Sequence, residues 1–157
     1  MPITDEDRQW MRLALDEAKR ALASNDVPIG AIAVHEGRII GRGYNRREAD
    51  NDPTAHAEII AIRDAAATLG TWRLDGVTLY CTLEPCAMCA GAMVLARLPR
   101  LVYAAADPKA GAAGSITDIT RHHRLNHHVH VDHGLFADEA AEQLREFFRQ
   151  LRAANKE

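Results

Sequence analysis

Apolar positions recur along this chain in two rhythms. Met11, Ala14, Leu15, Ala18, Ala21 and Leu22 fall at helical spacing and give a first helix one apolar face. Thr4 stands ahead of it as an N-cap, with Asp7 three residues on as the acidic member of a capping box. The run Gly30-Ala-Ile-Ala-Val34, the polar turn His35-Glu36-Gly37-Arg38 and the pair Ile39-Ile40 predict a β-hairpin. Pro53 and Thr54 open a second helix over residues 55–69, with Thr54 as its N-cap and Gly70 as its stop. Residues 77–83 have the continuous apolar pattern of a buried strand, a helix follows over 86–96, and 101–105 is a further strand. Beyond Gly111 and Gly114 a short strand is expected near Val129 to Val131. A last helix over 138–152 aligns Ala141, Leu144, Phe148 and Leu151 on one face.

Strands alternating with helices in the second half require parallel pairing, because crossovers need a helix, and the opening hairpin makes the sheet mixed. The expected fold is an α/β protein, a three-layer α/β/α sandwich around a five-stranded mixed sheet. The 157 residues fit a single domain over 1–157. Forty-seven per cent of them are hydrophobic, enough for a full core, yet no run is long enough to span a membrane. The chain begins Met1-Pro2-Ile3-Thr4-Asp5-Glu6-Asp7, acidic where a secretion signal is basic, so a cytoplasmic protein is expected.

The formal net charge of −3 does not advertise a nucleic-acid partner. Its distribution is uneven. Between Arg97 and His133 five basic residues (Arg97, Arg100, Lys109, Arg121, Arg124) face three acidic ones (Asp107, Asp118, Asp132), alongside six histidines. This stretch is either a phosphate-facing patch or a solvated loop, and charge alone does not decide.

Three cysteines in a chain without a secretion signal argue against a disulfide framework. Cys81 falls within an apolar strand and behaves as a small hydrophobe. Cys86 and Cys89, three apart at a helix start, share one face and can grip a metal, and the helix N-terminus favours their thiolate forms. His56, at the start of a different helix, supplies a third ligand if the two N-termini face each other. No second C-x-x-C completes a four-cysteine finger, and no thioredoxin-like order of elements supports a redox pair. Three protein ligands leave a fourth position to water, which is the arrangement of a catalytic zinc rather than a structural one. Glu58, two residues from His56, can then hydrogen-bond that water without ligating the metal. H-x-E followed by P-C-x-x-C is the signature of zinc-dependent nucleobase deaminases, in which activated water attacks an amino-bearing carbon and the glutamate carries the protons.

Beyond that signature the chain resembles the bacterial tRNA-specific adenosine deaminases, the TadA family, over nearly its whole length. The matching stretches are Val27-Pro-Ile-Gly-Ala31, Gly43-Tyr-Asn45, Asp52-Pro-Thr-Ala-His-Ala-Glu-Ile59 and Leu83-Glu-Pro-Cys-Ala-Met-Cys-Ala-Gly-Ala92. Asp107-Pro-Lys109, Gly111-Ala-Ala-Gly-Ser115, Asn126-His127 and Phe147-Phe-Arg149 also match. The resemblance implies conversion of adenosine to inosine at the wobble position of a tRNA anticodon, one zinc per chain, a homodimer and no membrane partner. It further implies that Asn45 reaches the flipped base, that Val27 and Pro28 line its pocket, and that Asp107 and Lys109 lie by the anticodon loop. Phe147, Phe148 and Arg149 would meet the RNA from the last helix, although the apolar stripe places Phe148 in the core. The histidine-rich stretch from His122 to His133 departs from the family pattern. A free-base deaminase acting on guanine or cytosine is the alternative enzyme, and a zinc-stabilised RNA-binding module is the alternative without catalysis.

Overall fold

The computed structural model describes residues 2–155. Helix α1 (Asp5–Arg20) starts where the sequence predicts. Thr4 Oγ1 accepts from the Asp7 N–H at 3.1 Å, and Asp7 accepts from the Thr4 N–H at 2.9 Å, closing the capping box. A 3-10 turn (Ala21–Ser24) leads to strands β1 (Gly30–His35) and β2 (Arg38–Tyr44). Glu36 and Gly37 both take positive φ between them, the geometry that matches a two-residue turn to the twist of a hairpin. Then follow α2 (Ala57–Leu69), β3 (Val77–Leu83), α3 (Ala87–Leu95), β4 (Arg100–Ala105), β5 (His130–His133) and α4 (Ala137–Asn155).

The sheet order is β2-β1-β3-β4-β5. β1 pairs antiparallel with both β2 and β3, whereas β3–β4 and β4–β5 are parallel. The side-chain period of two divides each strand between two cores. Ala31, Ala33, Leu79, Cys81, Leu101 and Tyr103 pack with α2 and α3. Ile32, Val34, Tyr80, Val102 and Ala104 pack with α1 and α4. The three layers and the mixed five-stranded sheet are those expected.

Two contacts fix the sheet against its helices. On the α2 side the backbone of β2 approaches the helix so closely that a Cβ at Gly43 would lie 2.1 Å from the Ala57 carbonyl oxygen, and one at Gly41 2.4 Å from that of Ala61. Glycine facing alanine is the only pairing with room there. On the α1 side Arg100 opens β4 and reaches both carboxylate oxygens of Asp7, at 2.8 and 3.0 Å, and Asp132 at 2.9 Å. The Tyr80 hydroxyl donates to Asp7 as well, at 2.6 Å. Burial alone would raise the Asp7 carboxyl, but donation from Arg100, Tyr80 and the Thr4 N–H holds it far below the usual carboxylate range. Arg100 is therefore no part of a phosphate-facing patch. Arg121 pairs with Asp118 at 2.7 Å, and Arg97 donates to the Val94 carbonyl at 2.9 Å. Only part of the charge excess between 97 and 133 is available to a partner.

One helix start and one helix face differ from expectation. The second helix begins at Ala57 with His56 as its N-cap, not Thr54, because the Thr54 N–H and hydroxyl both turn back to Asp52 Oδ1 at 2.8 Å. On α4 the phase is one residue off. Phe147 is buried with Ala140, one heptad away, and Phe148 stands 41% exposed.

Candidate metal centre and active site

The carboxyl ends of the central strands are where open α/β sheets place their ligands, and α2 and α3 both start there. Their N-caps are His56 and Cys86; the His56 side chain makes no bond to its own helix, and within α3 the Cys86 sulfur accepts only from Cys89. Positions that Ser, Thr, Asp or Asn would normally fill are given to metal-ligating side chains aimed at each other. His56 Nδ1 lies 3.6 Å from Cys86 Sγ and 3.6 Å from Cys89 Sγ. Among the described residues this is the one group of three such side chains whose ligand atoms lie within 4.8 Å of one another. Zinc–sulfur and zinc–nitrogen bonds of about 2.3 and 2.0–2.1 Å at tetrahedral angles separate sulfur from nitrogen by about 3.6 Å. The donor set and both nitrogen–sulfur separations thus fit one zinc ion.

Electrostatics at the cluster follow from burial and crowding. The Cys86 sulfur accepts from the Cys89 side chain, the His56 ring and the Cys89 N–H, which bring its thiol down to about 3. Cys89 is pushed the opposite way, by donating to Cys86, by burial and by the nearby Glu58. The His56 ring is raised through its bond to Cys86. Glu58, in the first turn of α2 and only 4% exposed, has its carboxyl pushed up by burial, with the Cys89 side chain alongside it. A buried carboxyl whose affinity for its proton is raised suits proton exchange with a bound reactant. Cys81 is fully buried in β3 and does not join the cluster.

A cavity of about 220 Å³ opens over His56, Glu58 and Cys86. Val27, Ile29, Asn45 and Arg47 form one wall, and Leu83, Glu84, Asp107 and Ala110 the other. Asn45 is buried. Its Nδ2 donates to the Val27 carbonyl at 3.2 Å and its Oδ1 accepts from the Arg47 N–H at 3.1 Å, so it ties the segment before β1 to the turn after β2. Buried Asp26 secures the same wall from behind, accepting from the N–H groups of Glu48 and Ala49 at 2.6 and 3.1 Å. In the opposite wall burial would raise Glu84, yet donors from Ser115, Asp107 and Ala113 draw its carboxyl below the ordinary value.

Of the residues expected near a substrate, Val27, Asn45 and Asp107 line the cavity. Pro28 is buried and lies outside its lining. Lys109, Phe148 and Arg149 line a separate cleft with Arg145 and Arg152. Phe147 forms part of a third, with Val27 and Arg47, beside the cavity mouth. Arg47, Glu84, Ile29 and Ala110 were not anticipated. The one available signal was Glu84, a lone acid at the end of an apolar strand.

The family model of the MafB19-like deaminases matches residues 5–152. The tRNA-specific adenosine deaminase of Bacillus subtilis (strain 168) is 46% identical over 151 residues, covering 96% of this chain and 94% of that protein. A structure from a study of A-to-I editing by tRNA:A34 deaminases at the wobble position of transfer RNA superposes with a TM-score of 0.83 and 48% identity, covering 87% of this chain and 99% of that one. A guanine deaminase from Bacillus subtilis superposes with a TM-score of 0.62 and 39% identity, over 72% of this chain and 71% of that one. With its sheet, its His/Cys/Cys cluster and these relatives, this chain belongs to the MafB19-like deaminase family and is a deaminase related along nearly its whole length to tRNA-specific adenosine deaminases.

Proposed function

We propose that this chain, as a single deaminase domain in the cytoplasm, hydrolytically converts adenosine to inosine at the wobble position of a tRNA anticodon. The observation that carries the chemistry is the convergence of His56, Cys86 and Cys89 on one point beside a buried Glu58 at the floor of a cavity. His56, Cys86 and Cys89 would hold one zinc ion per chain. When bound, zinc supplies the Lewis acidity that makes a water molecule nucleophilic at neutral pH.

The chain's own residues do the rest. Glu58 takes a proton from the attacking water and delivers it to the ring nitrogen of the base, then takes the second proton from the hydroxyl now on the carbon and hands it to the amino group, which leaves as ammonia. Its burial favours this, since it raises the carboxyl's affinity for the proton it must carry. Val27 and Asn45 hold one side of the flipped base, and Asp107 holds the other. Lys109, Phe148 and Arg149 meet the anticodon stem-loop outside the cavity, with Phe147 supporting them from within α4. Among the described residues no helix is long and apolar enough to cross a membrane.

The transfer of the tRNA substrate to this chain rests on the closeness of the match to the wobble deaminases, which exceeds that to guanine deaminases in identity and superposition. A homodimer is part of the same reading. Helix α3 carries no charged residue, yet it exposes Met88 and Leu95, the latter 71% exposed. A helix apolar on all sides belongs in an interior, and a second copy over α3 would provide one.

The deciding experiment is incubation of the zinc-loaded protein with an anticodon stem-loop bearing A34, beside free guanine, cytosine and adenine. Inosine in the stem-loop and no release of ammonia from the free bases is the expected result. Deamination of guanine alone would transfer the protein to the free-base enzymes.

A further inference from the structure

Glu84 follows β3, directly before Pro85, and is 2% exposed. Among the described residues it forms no ion pair with Lys or Arg. Its donors come from one loop instead. The Asp107 N–H reaches Oε1 at 3.0 Å, the Ser115 hydroxyl donates to the same oxygen at 2.5 Å, and the N–H groups of Ala113 and Ser115 reach Oε2 at 3.0 and 3.1 Å. The loop is shaped around this carboxylate. A Cβ on Gly111 would lie 2.4 Å from its carbon and from Oε2, so only glycine can pass there. Ala112 N–H donates to the Pro85 carbonyl at 2.8 Å, and Glu84 N–H to that of Ala105 at 2.8 Å. Residues 84–85 and 105–115 therefore form one unit, directly ahead of Cys86.

A buried carboxylate facing neutral donors alone is an expensive way to brace a loop, since burying charge costs several kcal/mol unless every lone pair is matched. What it achieves is convergence, with donors from residues 107 to 115 drawn to one point. Asp107 sits at the edge of that point and in the cavity wall. Its own Oδ1 accepts from the N–H groups of Lys109 and Ala110, so the Asp107–Ala110 turn moves as one piece.

We propose that Glu84 is the positioning residue of the substrate-facing wall: it fixes the Asp107–Ala110 turn over the reaction centre and so governs substrate binding, with no part in metal ligation or proton transfer. The inference rests on the deaminase reading given above.

Glu84→Gln is a selective probe. Whichever way the amide turns, its NH2 meets a backbone N–H. The less costly orientation sets it against Asp107, because the Ser115 hydroxyl beside it can rotate to accept. The tie to Asp107 is then the one lost. Loss of a charge-assisted hydrogen bond of this kind predicts a KM about tenfold higher or more, with kcat within about threefold of wild type. Zinc content stays at one per chain, and amide exchange quickens at Asp107 while α2 and α3 keep their protection. Ser115→Ala, an exposed change that keeps the fold, removes a single donor and is expected to raise KM about two- to threefold.

Both variants are assayed on whichever substrate the wild type turns over. A wild type acting on free guanine would correct the substrate assignment and leave this comparison standing. Quickened exchange at Asp107 with an unchanged KM in both variants overturns the proposal. So does a fall in kcat at constant KM, or loss of zinc, either of which would place Glu84 in the reaction centre itself.

Discussion

A Cβ at Gly43 would lie 2.1 Å from the carbonyl oxygen of Ala57, the first residue of α2. That helix turn carries Glu58 and follows His56, so the spacing between β2 and α2 sets the height of the reaction centre. Gly43→Ala must push the helix away or strain the strand, and overpacking of this kind costs about 1–3 kcal/mol. Urea unfolding should show a lower midpoint, and the zinc of the variant should pass more readily to a chelator. A wild-type midpoint with wild-type zinc retention would mean that the contact is slack.

Zinc content tests the ligand assignment. Cys86→Ala and Cys89→Ala each remove a sulfur 3.6 Å from His56 Nδ1 and are expected to lose zinc or hold it far more weakly. Cys81→Ser alters a buried strand position outside the cluster and should keep one zinc per chain, at some cost in stability. Elemental analysis decides. Full zinc in either of the first two variants removes that residue from the ligand set.

Glu58→Ala should retain zinc and fold while losing turnover. General acid–base catalysis contributes about 10²–10⁴-fold, and service in both attack and ammonia departure places Glu58 at the upper end. Glu58→Gln keeps the shape without the exchangeable carboxyl proton and should be nearly as impaired. Single-turnover rates on the stem-loop, with zinc measured in the same samples, separate this from a ligand role.

Lys109 and Arg149 line one cleft although they come from different parts of the chain. Replacing both with Ala should raise the KM for the stem-loop and flatten the salt dependence of binding, since the slope counts displaced counterions. An unaltered slope would return both residues to a solvated surface.

Acid should weaken the fold through Asp7. Its folded pKa is held below the unfolded value of about 3.9. The resulting stabilisation is complete above about pH 4 and disappears as pH falls toward the folded value. Melting temperatures across that range should drop for the wild type, and the drop should be shallower for Asp7→Asn. Arg100→Met leaves Asp7 and Asp132 without their shared cation and should cost about 3–5 kcal/mol at neutral pH.

Much of this was legible in the residues because it is local. The capping box at Thr4, the Glu36-Gly37 hairpin, the stop at Gly70 and the limits of β3 need only short-range rules. The H-x-E and P-C-x-x-C segments also named their own chemistry. What failed was decided across space or by phase. Thr54 has the better capping side chain, yet Asp52 captures it, and His56 takes the cap unbonded. On α4 the apolar residues are spread widely enough that either phenylalanine could turn inward, and the docking of the helix chose Phe147. Arg100 counted as surface charge until its partner appeared 93 residues away. Glu84 was visible only as a letter in a motif, because its donors lie 23 to 31 residues further on.

His56 and Cys86 stand 30 residues apart in the chain and nowhere touch through a covalent bond. An ion gripping both would act as a staple across that span, comparable in chain-entropy terms to a disulfide closing a loop of the same size, on the order of 3–4 kcal/mol. It would also hold together the starts of two helices, one of which, α2, has no side-chain cap of its own. Stripping the ion should therefore do more than silence the enzyme. It should let the first turns of α2 and α3 fray together, so that a chelator acts on this protein as a local denaturant, with the cavity floor the first region to loosen.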